Sequence, residues 1–256
     1  MPAQSIAYST TDKIVVRGKD LVDELIGHVD FTSMICLHLR GEMPTPGQRA
    51  VVDSVLVALM EHGLTPSSLT ARLIYSSAPE AVQGAVAAGL LGAGGHFLGS
   101  TENAGRLLRE GAVALDQGTA VEDFATAAVA RHLAARLPFP GFGHHIHRPD
   151  DPRAPRLLTV ARENGVAAVH VEVLEAIGVA MDKAKGRHVT VNATGAVAAV
   201  LLDAGFPWNS LRGFSLIARA AGLVGHVLEE AERPVDRAIW DAAEERIPYD
   251  GPRTAG

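Results

Sequence analysis

The chain has 256 residues, of which 47% are apolar, 20% charged and only 5% aromatic, with a formal net charge of −6. That length supports one sizeable core, divided at most into two lobes, and the negative balance excludes an electrostatic case for nucleic acid or anionic lipid as partners. A single cysteine, Cys36, excludes a disulfide framework and a thiolate zinc site within one chain.

From the amino terminus, "MPAQSIAYSTTDK" lacks a basic segment leading into an apolar run, so no signal peptide is expected. "KIVVRG" reads as a strand, too short to found a sheet. Cys36 lies in "SMICLHL", the setting of a buried small hydrophobe rather than a reactive thiol. Residues 46–62 place Val51, Val55, Leu56 and Leu59 at helical spacing, with Pro46 near the start and Gly63 just past the end. Similar periodicity predicts helices over 79–93, 102–110, 121–136, 154–164, 168–185, 196–204, 209–230 and 235–246. The windows "AVAAGLLGAGG" and "ATGAVAAVLL" fall short of the ~20 residues a membrane span needs, so a soluble, cytoplasmic protein is expected. No strand–helix alternation, repeat or low-complexity linker interrupts this pattern. The expected fold is all-α.

Three loops rich in glycine or turn residues break the helices: "GAGGHFLGST" at 92–101, "PFPGFGHHIHRPDDP" at 138–152 and "VTVNATG" at 189–195. Fixed loops between rigid helices are where binding groups tend to sit. Neither "GAGGHF" nor "GFGHHI" completes the G-x-G-x-x-G pattern, because Phe97 and Ile146 stand where the last glycine belongs, which argues against a dinucleotide. His144, His145 and His147 offer imidazoles to a metal, but no carboxylate follows at helical spacing, so no metal is expected. Asp150 and Asp151 ahead of Pro152 also suit a plain turn and helix cap.

The segment "PGFGHHIHRPDDPRAPRLL" resembles the citrate synthase signature, a G-F/Y-G-H stretch followed by D-P-R. Four further segments resemble that family in order: "VVRGKDLVDELIGHVDFTSMICLHLRGEMPT", "EHGLTPSSLTAR", "GLLGAGGHFLGSTENA" and "GFSLIARAAGLVGHVLEEAERP". The compact length and "GHFLGSTENA" look most like the citryl-CoA lyase branch, including the carboxy-terminal module of ATP-citrate lyases. The resemblance implies a large helical lobe at 1–100 plus 196–256, a small lobe at 101–195, and an obligate homodimer, or a dimer of such dimers, whose sites borrow an arginine. It also implies coenzyme A or acetyl-CoA as substrate or product, together with a di- or tricarboxylate.

Chemistry between an acyl-CoA enolate and a 2-oxo acid needs hydrogen-bond donors at two carbonyl oxygens, which neutral histidines supply, and bidentate cations for carboxylates. By resemblance, His144 polarises the ketone or deprotonates the citryl hydroxyl, and His96 serves the thioester oxygen. His62, Arg153, Arg219 and, across the dimer, Arg233 bind substrate carboxylates. Arg148 faces a CoA phosphate, while the backbone of Gly141, Phe142 and Gly143 faces the adenine. Two departures stand out. Phe97 and Leu98 separate His96 from the glycine that should follow it. Asn192, in "TVNATG", occupies the place of the family's catalytic aspartate in a loop one residue shorter, and an amide cannot accept a methyl proton at neutral pH. Cleavage of a citryl-type thioester, condensation of an acyl-CoA with a 2-oxo acid, and mere binding of a CoA thioester all remain open on this reading.

Overall fold

The computed structural model describes residues 2–94, 100–136, 138–144 and 146–252. Eleven α-helices dominate the described residues: α1 Phe31–Arg40, α2 Pro46–Met60, α3 Pro66–Ser77, α4 Val82–Leu91, α5 Ser100–Asp116, α6 Val121–Ala134, α7 Arg153–Glu163, α8 Val169–Lys185, α9 Ala193–Asp203, α10 Leu211–Glu232 and α11 Asp236–Arg246. The all-α expectation holds, with one correction. "KIVVRG" does found a sheet: β1 Ala7–Ser9, β2 Ile14–Val16 and β3 Lys19–Asp20 pair antiparallel in that order. Such short strands persist because Val16 packs with Leu25 and with Leu37 of α1, giving the sheet a buried face.

Two helices escaped the periodicity. In α1, Asp30 accepts from Ser33 N at 2.8 Å and Gly41, at φ 84°, closes the other end. The serine- and threonine-rich α3 opens with a capping box between Thr65 and Ser68 and with Pro66 in its first turn. Cys36 of α1 is fully buried, and burial pushes its thiol up to about 11, as an inert packing residue requires.

Backbone contacts divide the chain into two compact units, 1–58 with 98–215 and 59–97 with 216–256. In the first, α9 is the central helix. Ala193 and every residue from Gly195 to Leu202 are buried, and it packs against α5, α7 and α8 along its length. A boundary at residue 196 would cut this helix three residues into its span. Its last residue, Asp203, reaches the start of α8, accepting from the N–H groups of Ala168, His170 and Val171 at 2.7, 3.0 and 3.1 Å. In the second unit, α3 and α4 pack together around Ala71, Ala85, Leu223 and Val227.

The stretch Trp208–Glu232 is long and apolar enough to cross a membrane, although half of it is buried within the protein. Arg212 and Arg219 interrupt its apolar run, which is why the most apolar windows fell elsewhere.

Candidate active site

In the first unit, the histidine-rich loop and the turn before α9 are laced together by backbone. Phe142 and Val191 form an isolated antiparallel bridge, Gly143 N donates to Thr190 O at 2.7 Å, and Asn192 N donates to Gly141 O at 3.0 Å. Only glycines permit this approach. A Cβ on Gly195 would lie 2.6 Å from Gly141 O, and Gly141 itself sits at φ 87°.

Asn192 completes the lacing. Its Oδ1 accepts from Gly195 N at 3.1 Å, capping α9, and its Nδ2 donates to Gly143 O at 2.7 Å. Both ends of the amide are thereby bound to backbone. An aspartate could keep the cap but would set a carboxylate against the Gly143 carbonyl.

His144 stands on this framework, half-buried, with its ring stacked on His147 at 4.4 Å between centroids. Its Nδ1 accepts from the N–H groups of Ile146 and His147 at 3.1 and 3.0 Å. A neutral ring held this way carries its proton on Nε2, so that atom is a hydrogen-bond donor. The arrangement suits polarising a carbonyl, or stabilising an alkoxide, better than removing a hydroxyl proton.

Arg153 opens α7, and its guanidinium is gripped by Asp151, through Nε to Oδ1 at 3.0 Å and Nη2 to Oδ2 at 2.9 Å. Asp151 is fully buried and also accepts from Ala193 N at 2.9 Å. Burial alone would raise its carboxyl, but the Arg153 guanidinium and the Ala193 N–H outweigh that and lower it to about 2. Asp151 also accepts from the N–H of Arg153, the first residue of α7, at 3.2 Å, so it serves the starts of both α7 and α9. Arg153 and Arg156 line a cleft of about 410 Å³ with Asp53, Ser54, Val57 and Leu157. Arg148 is exposed. The loop is braced on its far side by His188, which meets Asp150 at 2.7 Å and Asp182 at 2.8 Å.

The second unit holds His62, Arg219 and Arg233. His62 follows α2 and is half-buried; Arg219 on α10 is 4% exposed; Arg233, just past α10, is exposed. Between the first two lies Glu61. Its Oε1 accepts from the N–H groups of His62 and Gly63, both at 2.7 Å, and stands 3.9 Å from Arg219 Nη1. His226, 9% exposed, approaches Oε2 at 3.0 Å. Burial opposes ionisation of Glu61, but His226 and the two N–H groups prevail and its carboxyl is lowered. His96 lies outside the described residues.

Sequence reasoning passed over Glu61, His226, Arg72 and the structural part played by Asp151. A signal was present for some of them: Arg219, His226 and Glu230 recur at intervals of seven and four, a polar stripe down one face of an otherwise apolar helix.

The family model for the citrate synthase C-terminal domain matches residues 6–240. The chain is 30% identical over 207 residues to a Mycobacterium tuberculosis protein named for citrate synthase, covering 78% of this chain and 52% of that one. It therefore spans about half the length of that relative. Among solved structures, citryl-CoA lyase from Hydrogenobacter thermophilus superposes with a TM-score of 0.88 at 30% identity, covering 100% of this chain and 97% of the other. ATP citrate lyase from Methanothrix soehngenii, solved with citrate and coenzyme A, shares the fold at 21% identity and a TM-score of 0.81, covering 98% of this chain and 42% of that one.

Proposed function

The chain belongs to the citrate synthase family, and on that premise we propose that it cleaves a citryl-type CoA thioester into acetyl-CoA and oxaloacetate or a related 2-oxo acid. The observation that carries this reading is Asn192. Condensation must take a proton from an acetyl methyl group, a step that needs a positioned base. The amide in the aspartate's place cannot supply one, and its two ends are held by Gly143 and Gly195. Cleavage makes the enolate from the breaking carbon–carbon bond instead. The electron pair of that bond moves onto the acetyl-CoA fragment, which then takes a proton from water, while the hydroxyl proton leaves to solvent. The full-length likeness to a citryl-CoA lyase supports the same direction.

In this reading, the Nε2–H of His144 donates to the oxygen that changes from alkoxide to ketone, stabilising charge where it develops. Arg153, His62 and Arg219 take substrate carboxylates, where a planar fork holds better than a lysine. The Gly141–Gly143 backbone and exposed Arg148 serve the CoA portion. The working form is a homodimer, with Arg233 given to the partner's site. Helix α4 is apolar on nearly all sides, yet Val82 and Leu91 are 41% and 86% exposed, so this helix suits a face that pairs. Sedimentation at micromolar concentration checks this point, and a monomer there would refute it.

Condensation is the second reading, favoured by the relatives named for citrate synthase. Turnover of citryl-CoA, compared with acetyl-CoA plus oxaloacetate, decides between them. We expect cleavage in the wild type and its loss in His144→Ala. Efficient condensation without cleavage would reverse the assignment, and CoA-thioester binding without either reaction would leave a binding protein.

A further inference from the structure

A buried polar chain in the second unit extends beyond the residues assigned so far. Arg72 of α3 is 3% exposed and meets three acceptors on α10. Its Nε donates to His226 Nδ1 at 3.0 Å, Nη1 donates to Glu230 Oε2 at 2.7 Å, and Nη2 pairs with Glu229. The other oxygen of Glu230 accepts from the N–H groups of Val235 and Asp236 at 2.8 and 2.9 Å, anchoring that end on backbone.

A guanidinium only donates, so Arg72 fixes His226 Nδ1 as an unprotonated acceptor. The proton of the neutral ring then stands on Nε2, beside Glu61 Oε2 at 3.0 Å, though out of line for an ideal hydrogen bond. The opposite oxygen of Glu61 carries the N–H groups of His62 and Gly63. Glu61 is half-exposed and lies 3.9 Å from the cation of Arg219. Without His226 on its other side, this half-exposed carboxylate loses one of the two sides that keep it against the His62 and Gly63 N–H groups.

We infer that His226, set by Arg72, is a positioning residue: it holds Glu61 against the N–H groups of His62 and Gly63, and so fixes His62 for a substrate carboxylate. The inference rests on the proposed function only in the last clause. Buried polar groups that orient a substrate-binding side chain affect affinity without touching the ligand.

The test uses the full chain and citryl-CoA. His226→Leu should raise KM by about tenfold or more with a smaller change in kcat. His226→Gln should restore it, since its amide offers a carbonyl to Arg72 and an N–H to Glu61. The backbone amide resonances of His62 and Gly63 give a readout independent of turnover: they should shift in His226→Leu and return in His226→Gln. Shifted resonances in a protein that turns over nothing would sustain the positioning role and sink the proposed function alone. Unmoved resonances and an unchanged KM, with only a lowered melting temperature, would reduce His226 to a packing residue and overturn the inference. Should His226→Leu fail to fold, Glu61→Ala at the half-exposed end must give the same rise in KM, and an unchanged KM there overturns it equally.

Discussion

Asp151 grips Arg153 with both carboxylate oxygens while also capping the first residue of α9. The direction of the D-P-R arginine is therefore set by the same buried group that fixes where α9 begins. Asp151→Ala should cost about 3 kcal/mol, because it strands a partly buried cation and an N–H. Since the folded carboxyl lies at about 2, below its ordinary value, its contribution is present above pH ~4 and lost as pH falls through about 2. Urea midpoints should therefore differ fully between wild type and variant at pH 5 and converge near pH 2. A gap independent of pH would show that the pair contributes nothing through its charge.

Asn192→Asp replaces the donor facing the Gly143 carbonyl with a carboxylate, keeping the α9 cap but opposing the loop. We expect a loss of about 1 kcal/mol, the scale of one hydrogen bond. Deuterium exchange into the methyl group of acetyl-CoA should be very slow in the wild type and stay slow in the variant, because the cap orients that oxygen toward Gly195. Rapid exchange in Asn192→Asp would mean that only the missing carboxylate separates this site from a condensing one.

Gly195→Ala drives a methyl group into the Gly141 carbonyl, and neither atom belongs to a side chain that can turn away. The loop carrying His144 must then lift off α9. The expected cost is about 1–3 kcal/mol, with a larger loss of turnover than of stability. Calorimetry beside steady-state kinetics checks this, and a variant with normal kcat would separate His144 from the glycine contact.

His188 joins Asp150 of the histidine loop to Asp182 of α8, and both carboxylates raise its imidazole. A raised folded value means that this brace is complete below the ordinary histidine range, near 6.5, and lost as pH climbs through the raised one. At the other end, Asp182 is lowered by the same contact despite the opposing effect of burial. Hydrogen exchange of the residues flanking Asp150 should quicken, beyond its intrinsic pH dependence, as His188 loses its proton. His188→Gln should abolish that extra step, and a step surviving in the variant would assign it to another group.

The helices were legible where apolar residues recur with a clear stripe, as in α2 and α10, and both glycine-bearing turns at the site were marked by composition. What went unread were two short helices whose starts are marked by their caps: Asp30 and Thr65 open α1 and α3 through side-chain hydrogen bonds. The site divides in the same way. Motif order singled out His144, Arg153 and Arg219, whereas Glu61 and Arg72 meet partners distant in the chain, 158 residues away for Arg72 and Glu230. Asn192 was visible as a departure, but its part as a staple is a matter of where two backbone atoms lie.

Helix α8 has no cap of its own: Ala168 offers no side-chain acceptor, and the N–H groups of its opening turn are taken by Asp203 at the far end of α9. The start of one helix is thus written into the end of the next, some 35 residues later. During synthesis, α8 emerges before the residue that caps its start exists, so its first turn stays frayed until α9 has been made and docked. The two helices should consequently gain protection in a single step, which makes the turn between them, the one that carries Asn192, a late product of folding rather than a scaffold for it.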